Sequence, residues 1–519
     1  MSRKVITSSA KMAVATFTSR ILGLAREQLM AMYFGAGGIT DAFLVAYRIP
    51  NLLRDLFAEG AFSSAFVPIF TEVSQKDEKA AKGLLWSLMI LLGIVTSIIS
   101  LFAILYSDQI IAFVSPKFVD MPEIFAMTSG LTKVMAPFLL LVSLAALVMG
   151  SLNTLKMFFI PSLAPAFFNI AFILCIVIFA GILPRYGIHP VYSMGIGVLF
   201  GGLFQFLVQL PLLIRRGYSP QGPIQLFGPQ VKKILGRLGI GTIGIAAAQI
   251  NILVNTILAT STVLGAVSWL TYAFRLFQFP VGMLGVSIAG SNLVHFSDAW
   301  KKGEQEEAVA CLKSSYQLLM LVLIPASILL YVFSNPAVSI VFRRGAFAQH
   351  DAAMTSLALR CYLYGLPFYG IYKVFAPTFY ILDRPHIPVF LSIFSVLANI
   401  VFSLILTPKY GFHILALGTG LAMFINTLGQ TIFLRKYLRL NWKFFFDLRI
   451  LKIILAGTAT FFASSWSLQF YDSAQSLVLR LTVLCGLGAL GLATYLATMV
   501  ILGDGKLLRK FWNTRRKKS

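Results

Sequence analysis

Apolar residues run in blocks along the whole chain, separated by short polar, basic or Pro/Gly-containing stretches. Each block is roughly 18 residues or longer, enough to cross the hydrocarbon core of a bilayer. Backbone polar groups find no water at that depth, so the blocks are expected to be helices. Fourteen spans are predicted, centred near Arg20, Ala58, Ile94, Leu139, Phe172, Leu203, Ile250, Val281, Leu321, Leu366, Ser395, Leu421, Ala459 and Ala489. A basic loop from Arg215 to Arg237 divides the chain near its middle. The expected architecture is an all-α polytopic membrane protein of about 14 helices, in two six-helix lobes plus two C-terminal helices. Residues 1–216 form the first lobe, 217–237 a cytoplasmic basic linker and 238–440 the second lobe. Residues 441–503 hold two further helices and 504–519 a basic tail. Repeats of this kind are common in transporters, with the substrate site between the halves.

Composition agrees with the pattern. The 519 residues are 58% hydrophobic and 12% charged, against about 25% charged for a soluble domain. The net charge of +24 first suggests nucleic acid, but its distribution points elsewhere. With the N-terminus inside, 29 Lys and Arg residues lie in cytoplasmic loops and 6 in the opposite ones: Lys117, Arg185, Arg343, Arg344, Lys409 and Arg480. That asymmetry is the positive-inside pattern, with both termini cytoplasmic and no nucleic acid as partner. The terminal RRKKS is expected to touch anionic membrane lipids. The stretch after Arg3, Lys4 and Lys11 lacks a clean apolar core and a cleavage site, so it does not read as a removable signal. Cys175, Cys311, Cys361 and Cys485 are scattered, which suits free thiols rather than a disulfide or metal framework. SNPAVSIVFRRGAF (334–347) reads equally as an interfacial helix or an ordinary loop.

The candidate chemistry lies in charges inside the apolar blocks. Arg20, Arg26, Asp41, Arg48, Arg54 and Glu59 fall in the first two, and Lys133, Arg275, Arg360 and Lys373 in later ones. A charge at bilayer depth costs about 2.5–3.5 kcal/mol on insertion scales, so each is a functional candidate by default. Cations outnumber acids, and a cavity they line would take an anion. Guanidinium groups stay protonated and grip phosphate oxygens bidentately, which favours phosphate or diphosphate over carboxylate. Arg20 and Arg26 are six residues apart, about 120° around an ideal helix, so they share a face only if Gly23 bends it. Arg48 and Arg54 repeat the spacing across Pro50, with Arg48 the better placed to snorkel to an interface. Glu27 directly follows Arg26, and neighbours on a helix are not expected to face each other. Asp41 and Glu59 could orient the arginines, tie the ends of the halves together, or form structural ion pairs. Arg275 lies in WLTYAFRLFQFPVGMLGVSIAG (269–290), where it would complete a cationic cavity from the second lobe. Lys133, Arg360 and Lys373 are weaker, since each could pair locally.

Gly239, Gly241 and Gly244 spell G-x-G-x-x-G. Without a strand before it or a βαβ unit around it, this is a helix-packing feature and not a dinucleotide site. No Cys/His cluster, Ser-His-Asp set or acidic metal run stands out, which weighs against an enzyme, a metal centre or a cofactor.

SRILGLAREQLMAMYFGAGGITDAFLVAYRIPNLLRDLFAEGAFSSAFVPIF (19–70) closely resembles the opening of the MviN/MurJ family of bacterial lipid II flippases. The similarity extends through SLNTLKMFFIPSLAPAFFNI (151–170) and the segment around Arg275. The family sits in the multidrug/oligosaccharidyl-lipid/polysaccharide exporter group. The resemblance implies fourteen helices in two lobes, a lipid groove on the last two, and a place in the bacterial cytoplasmic (inner) membrane. It implies transport of undecaprenyl-diphosphate-linked peptidoglycan precursor (lipid II), with other cell-wall synthesis proteins as further partners. Its functional arginines match Arg20, Arg26, Arg54 and Arg275, and its acid matches Asp41. Around the later arginine the family often reads Tyr-Ala-Asp-Arg-Leu-Met-Glu-Phe-Pro; here Phe274 and Gln278 replace both acids. Substrate binding is thus expected at Arg20, Arg26, Asp41, Arg54 and Arg275, with Glu27, Arg48 and Glu59 accessory. The expected function is flipping by alternating access. It is driven mainly by membrane potential, with any bound monovalent cation secondary. The alternatives are export of another lipid-linked glycan or a drug, or a scaffold for cell-wall assembly.

Overall fold

The computed structural model describes residues 3–54, 61–472 and 475–504, excepting the side chains of 3–11, 13, 53, 61–64, 239–245, 247, 283–284 and 286–287. Among the described residues all regular structure is helical. The first part of the chain forms α1 (Arg3–Phe34), α2 (Gly38–Arg54), α3 (Ala61–Lys76), α4 (Glu78–Leu105), α5 (Ser107–Val114) and α6 (Pro122–Met135). It continues as α7 (Phe138–Thr154), α8 (Phe159–Ile182), α9 (Tyr192–Leu207), α10 (Leu210–Arg215) and α11 (Pro229–Thr260). The second part holds α12 (Ala266–Pro280), α13 (Val286–Lys301), α14 (Gln305–Val332), α15 (Ser334–Phe342) and α16 (Gln349–Leu363). It ends with α17 (Leu366–Ile381), α18 (His386–Tyr410), α19 (His413–Tyr437), α20 (Leu448–Ser467) and α21 (Leu477–Ile501).

Nine helical runs among the described residues are long and apolar enough to cross a membrane, including Glu78–Leu105, Phe159–Tyr186 and Leu477–Ile501. The expected spans near Arg20, Ile250, Val281 and Leu366 fall on other helices, which carry charge or are interrupted. The centre near Ala58 lies outside the described residues, between α2 and α3. Proline sets several of the breaks. Pro137 stands between α6 and α7. Pro280 ends α12 and is followed by one π-helical turn, Val281–Gly285, before α13 resumes. A proline removes one helical N–H and crowds the preceding turn, and a widened turn is a common way to absorb that.

The chain divides into two compact units. The first comprises residues 1–268 and 344–347, the second 269–343 and 348–519. The boundary therefore falls 31 residues later than the linker's end at 237 would place it, and α11 belongs to the first unit. The reason is burial: Val231 and Ile234 at the start of α11 join Phe66, Phe70, Leu85, Leu147 and Leu213 in one core.

The basic linker is a strap docked on α4. Trp86 Nε1 donates to Tyr218 O at 3.1 Å, and Gln225 N to Ser87 Oγ at 2.8 Å. The Tyr218 and Ser74 hydroxyls are 2.9 Å apart. Gly222 lies with its φ at +116°, and a Cβ there would meet Lys79 O at 2.6 Å. Gly83 of α4 lies directly under Pro223 O. A side chain at either glycine would lift the strap.

In the second unit α14 is central. It packs against α13, α16, α17 and α20 around Leu312, Leu319, Phe375, Phe379 and Ile453. The last two helices are tied to it by specific bonds. Tyr495 Oη donates to Leu321 O at 3.0 Å, and Arg449 Nη1 to Gln317 Oε1 at 2.7 Å. The outer face of α21 stays apolar and exposed at Val478, Leu490, Val500 and Ile501. The 334–347 stretch is helical over α15, with Pro336, Val338 and Phe342 buried. The G-x-G-x-x-G glycines lie within α11, with no strand before them among the described residues.

Candidate functional site

In the first unit, α1 runs unbroken through Gly23. Ser19, Gly23 and Arg26 recur at i, i+4 and i+7, so they share one face. That face meets α8. Asn169 Nδ2 donates to Ser19 O at 3.2 Å, and a Cβ on Gly23 would lie 3.6 Å from the same nitrogen. A side chain at Gly23 would thus make ordinary van der Waals contact with α8, and α1 is continuous through this position. Arg20 lies off this face and is exposed.

Arg26 is carried into an aromatic niche. Its guanidinium carbon lies 5.7 Å from the Phe168 ring centre and 5.4 Å from that of Phe172. Its Nη2 donates to Glu27 Oε1 at 3.2 Å, and the two side chains are 13% and 5% exposed. The expectation that helix neighbours do not face each other fails for this pair. The guanidinium, on its three methylenes, reaches sideways to the next residue while lying over the α8 rings. A cation over ring faces gains about 2 kcal/mol when desolvated, so the charge is held where water is scarce.

The rings are themselves positioned by small residues. A Cβ on Gly201 would come 2.5 Å from Phe168 Cδ2, and one on Gly197 would come 3.1 Å from Phe172 Cδ2. These glycines, four apart on α9, let α8 lie close enough to present both rings to α1. Phe43 and Tyr47 of α2 and Phe138 of α7 extend the cluster, with ring centres 5.7–6.0 Å apart along the chain Tyr47–Phe138–Phe168 and 6.0 Å from Phe43 to Phe172.

Asp41, in the first turn of α2, is 1% exposed. It accepts from Gly265 N at 2.6 Å, Ser268 N at 2.8 Å and Ser268 Oγ at 2.5 Å. These are the donors of the first turn of α12, so the carboxylate caps that helix and faces the positive end of its dipole. Its oxygens thus accept from two backbone N–H groups and one hydroxyl at the start of that helix. Arg54 closes α2 at the other end, about 20 Å away by helical rise. Arg48 and Arg54 are both part-exposed, on either side of Pro50. Glu59 lies outside the described residues.

In the second unit, Arg275 is exposed on α12, two turns from the π-helical segment. Phe274, one of the residues standing where the family often has an acid, stacks with Phe277 at 5.5 Å and tilts against Tyr362 at 5.3 Å. Arg360 and Lys133 pair locally, as their positions allowed. Arg360 Nε donates to Ser334 Oγ at 2.7 Å, and Lys133 Nζ is 3.8 Å from Asp108. Lys373 Nζ lies 5.4 Å from the Tyr369 ring centre. The structure thus gathers Arg26 and Glu27 with an aromatic niche, bonds Asp41 to the start of α12, and places Arg20, Arg48, Arg54 and Arg275 at least partly in the open. Sequence reasoning missed Phe168, Phe172 and their glycine supports. The G-x-x-x-G spacing of 197–201 in an apolar helix was the signal available. All four cysteines are free.

Nine membrane-length apolar runs among the described residues, with arginine-bearing helices packed beside them, give the make-up of a multi-pass membrane protein. An inward-facing MATE multidrug transporter shares the fold, with TM-score 0.66 at 15% identity, over 81% of this chain and 94% of that one. A structure titled lipid II flippase MurJ, inward closed conformation, superposes with TM-score 0.79 at 26% identity, over 96% of this chain and 99% of that one. The lipid II flippase MurJ of Burkholderia cenocepacia is 35% identical over 426 residues, 81% of this chain and 82% of that protein. A probable lipid II flippase MurJ of Vibrio cholerae is 33% identical over 515 residues, 97% of each. The family model described as lipid II flippase MurJ matches residues 30–484. The chain belongs to that family.

Proposed function

We propose that this chain moves lipid II from the cytoplasmic to the outer leaflet of a bacterial cytoplasmic membrane by alternating access, without catalysing a covalent step. Family membership over most of the chain supports the substrate. The observation that carries the mechanism is Arg26, 13% exposed and held between Phe168, Phe172 and Glu27. A guanidinium fixed in a dry niche is preorganised for a phosphate oxyanion and resists exchange with water. Arg20, Arg54 and Arg275 supply further cations for the diphosphate, while Arg48, Glu27 and Glu59 tune the charge around them. Asp41 acts as a positioning residue. The polyprenyl tail stays in lipid, along the exposed apolar face of α21. The 29-to-6 distribution of basic residues supports cytoplasmic termini. The basic tail then meets anionic lipid.

The test is complementation in cells depleted of their own flippase, reading lipid-linked precursor exposed on the outer leaflet. The parent chain restores exposure. Arg26→Ala, Arg54→Ala and Arg275→Ala insert normally and do not restore it, and Arg26→Lys restores it poorly. Full activity of all three alanine variants overturns the reading.

A further inference from the structure

The second unit contains a cavity of about 790 Å³ between α13 and α17. Its lining repeats at helical spacing on both sides: Leu293, Ser297 and Lys301 on α13, and Lys373, Ala376 and Tyr380 on α17. Each helix therefore gives one continuous face to the space. Trp300 and Ile381 add apolar wall, and Asp383 stands in the turn after α17. The volume falls within the range of ordinary ligand sites, about 300–1,000 Å³.

Two features define what fits. The first is charge: two ammonium groups face one carboxylate. Neither lysine forms an ion pair with a described residue, and the Lys373 ammonium meets the face of Tyr369. Lys373 lies eight residues before the end of α17, about 12 Å along the helix, so its charge sits at the middle of that helix. A cation held there calls for an anion. The second is access. Leu293 and Tyr380 are 41% and 57% exposed on the rim, so the apolar wall continues beyond the cavity onto the molecular surface. A small soluble anion has no use for that wall; a phosphate carried on a hydrocarbon chain uses both.

We propose that this cavity binds the phosphate group of an anionic lipid, with the phosphate at Lys373 and Lys301 at the mouth. The lipid chain lies against Leu293, Ala376 and Ile381. Lys suits a phosphate as a point charge where no bidentate fork is needed. The proposal does not rest on the assignment of lipid II as cargo. The same chemistry is offered by a glycerophospholipid and by a polyprenyl diphosphate.

The experiment is native mass spectrometry of the full chain in neutral detergent, titrated separately with phosphatidylglycerol, undecaprenyl diphosphate and uncharged diacylglycerol. The parent binds at least one phosphate lipid more tightly than diacylglycerol. Lys373→Met, which keeps the side chain's length and apolar bulk, weakens that binding about tenfold; Lys373→Arg keeps it, and Lys301→Met weakens it two- to threefold. Loss confined to undecaprenyl diphosphate makes the cavity a cargo subsite, and loss confined to phosphatidylglycerol makes it a phospholipid site. Each supports the proposal and names the source. Lys373→Met with unchanged affinity for both lipids, in a monodisperse protein, overturns it. The readout is binding and not flipping, so its failure is distinguishable from failure of the arginine variants.

Discussion

Asp41 and Ser268 are 227 residues apart in sequence and joined twice: the carboxylate accepts from the serine's N–H at 2.8 Å and its hydroxyl at 2.5 Å. With Gly265 N at 2.6 Å, the acid satisfies three donors at the start of α12. Losing a cap costs about 0.5–2 kcal/mol, and stranding buried donors adds to it. Asp41→Ala should lower the unfolding temperature of purified protein by several degrees. Asp41→Asn, still a good cap, should recover most of that loss. Equal stability of the alanine variant and the parent removes the capping role.

Gly201 is expected to tolerate no Cβ without moving Phe168. Gly201→Val should destabilise by about 1–3 kcal/mol, as overpacking does. It should also impair precursor flipping through Arg26, which it never touches. A Gly201→Val, Phe168→Leu double variant should regain stability but not activity, because the ring over Arg26 is gone. Thermal unfolding and the complementation assay read the two effects separately.

The clamp beneath the last two helices has a defined pH dependence. Lys313 Nζ lies 2.9 Å from Asp447, and Gln317 Nε2 donates to it at 3.2 Å. The lysine's hydrogen bond holds the Asp447 carboxyl below its ordinary value. A depressed folded value means the contribution is complete above about pH 3.9, the unfolded value, and disappears as pH falls through the folded one. Asp447→Asn should therefore be less stable than the parent at pH 7, and the difference should shrink below pH 4. A constant difference down to pH 3 contradicts the clamp.

The distribution of basic loops predicts sidedness. In a cysteine-free background, a cysteine replacing Val119, which is 51% exposed, should react with a membrane-impermeant maleimide added to intact cells. One replacing Lys302 should react only after lysis. The reverse pattern inverts the orientation.

Membrane potential is the expected driver. Moving one negative charge outward across 100 mV releases about 2.3 kcal/mol, and a diphosphate with two charges about twice that. Collapsing the potential at constant proton and sodium gradients should slow flipping sharply. Undiminished flipping would shift attention to a coupled cation and to Glu59.

Much of this protein was legible in its sequence because the bilayer imposes length and polarity on every segment. Helices α4, α8, α14, α18 and α21 follow from unbroken apolar runs, and Arg26 and Arg275 stand out because charge is costly there. Neighbour relations were not legible, since they depend on which helix lies alongside. Sequence alone determined that Arg26 is a charge in an apolar helix; tertiary packing decided that Gly197 and Gly201 bring two rings over it. Sequence alone marked Asp41 as an acid at depth; the fold decided that it caps α12, because helix-end donors are satisfied by whatever acceptor is brought near, whatever its distance along the chain. The sequence marked 217–237 as a basic linker; the fold decided that Gly83 and Gly222 let its backbone settle onto α4, a contact between main chains that leaves no trace in hydropathy.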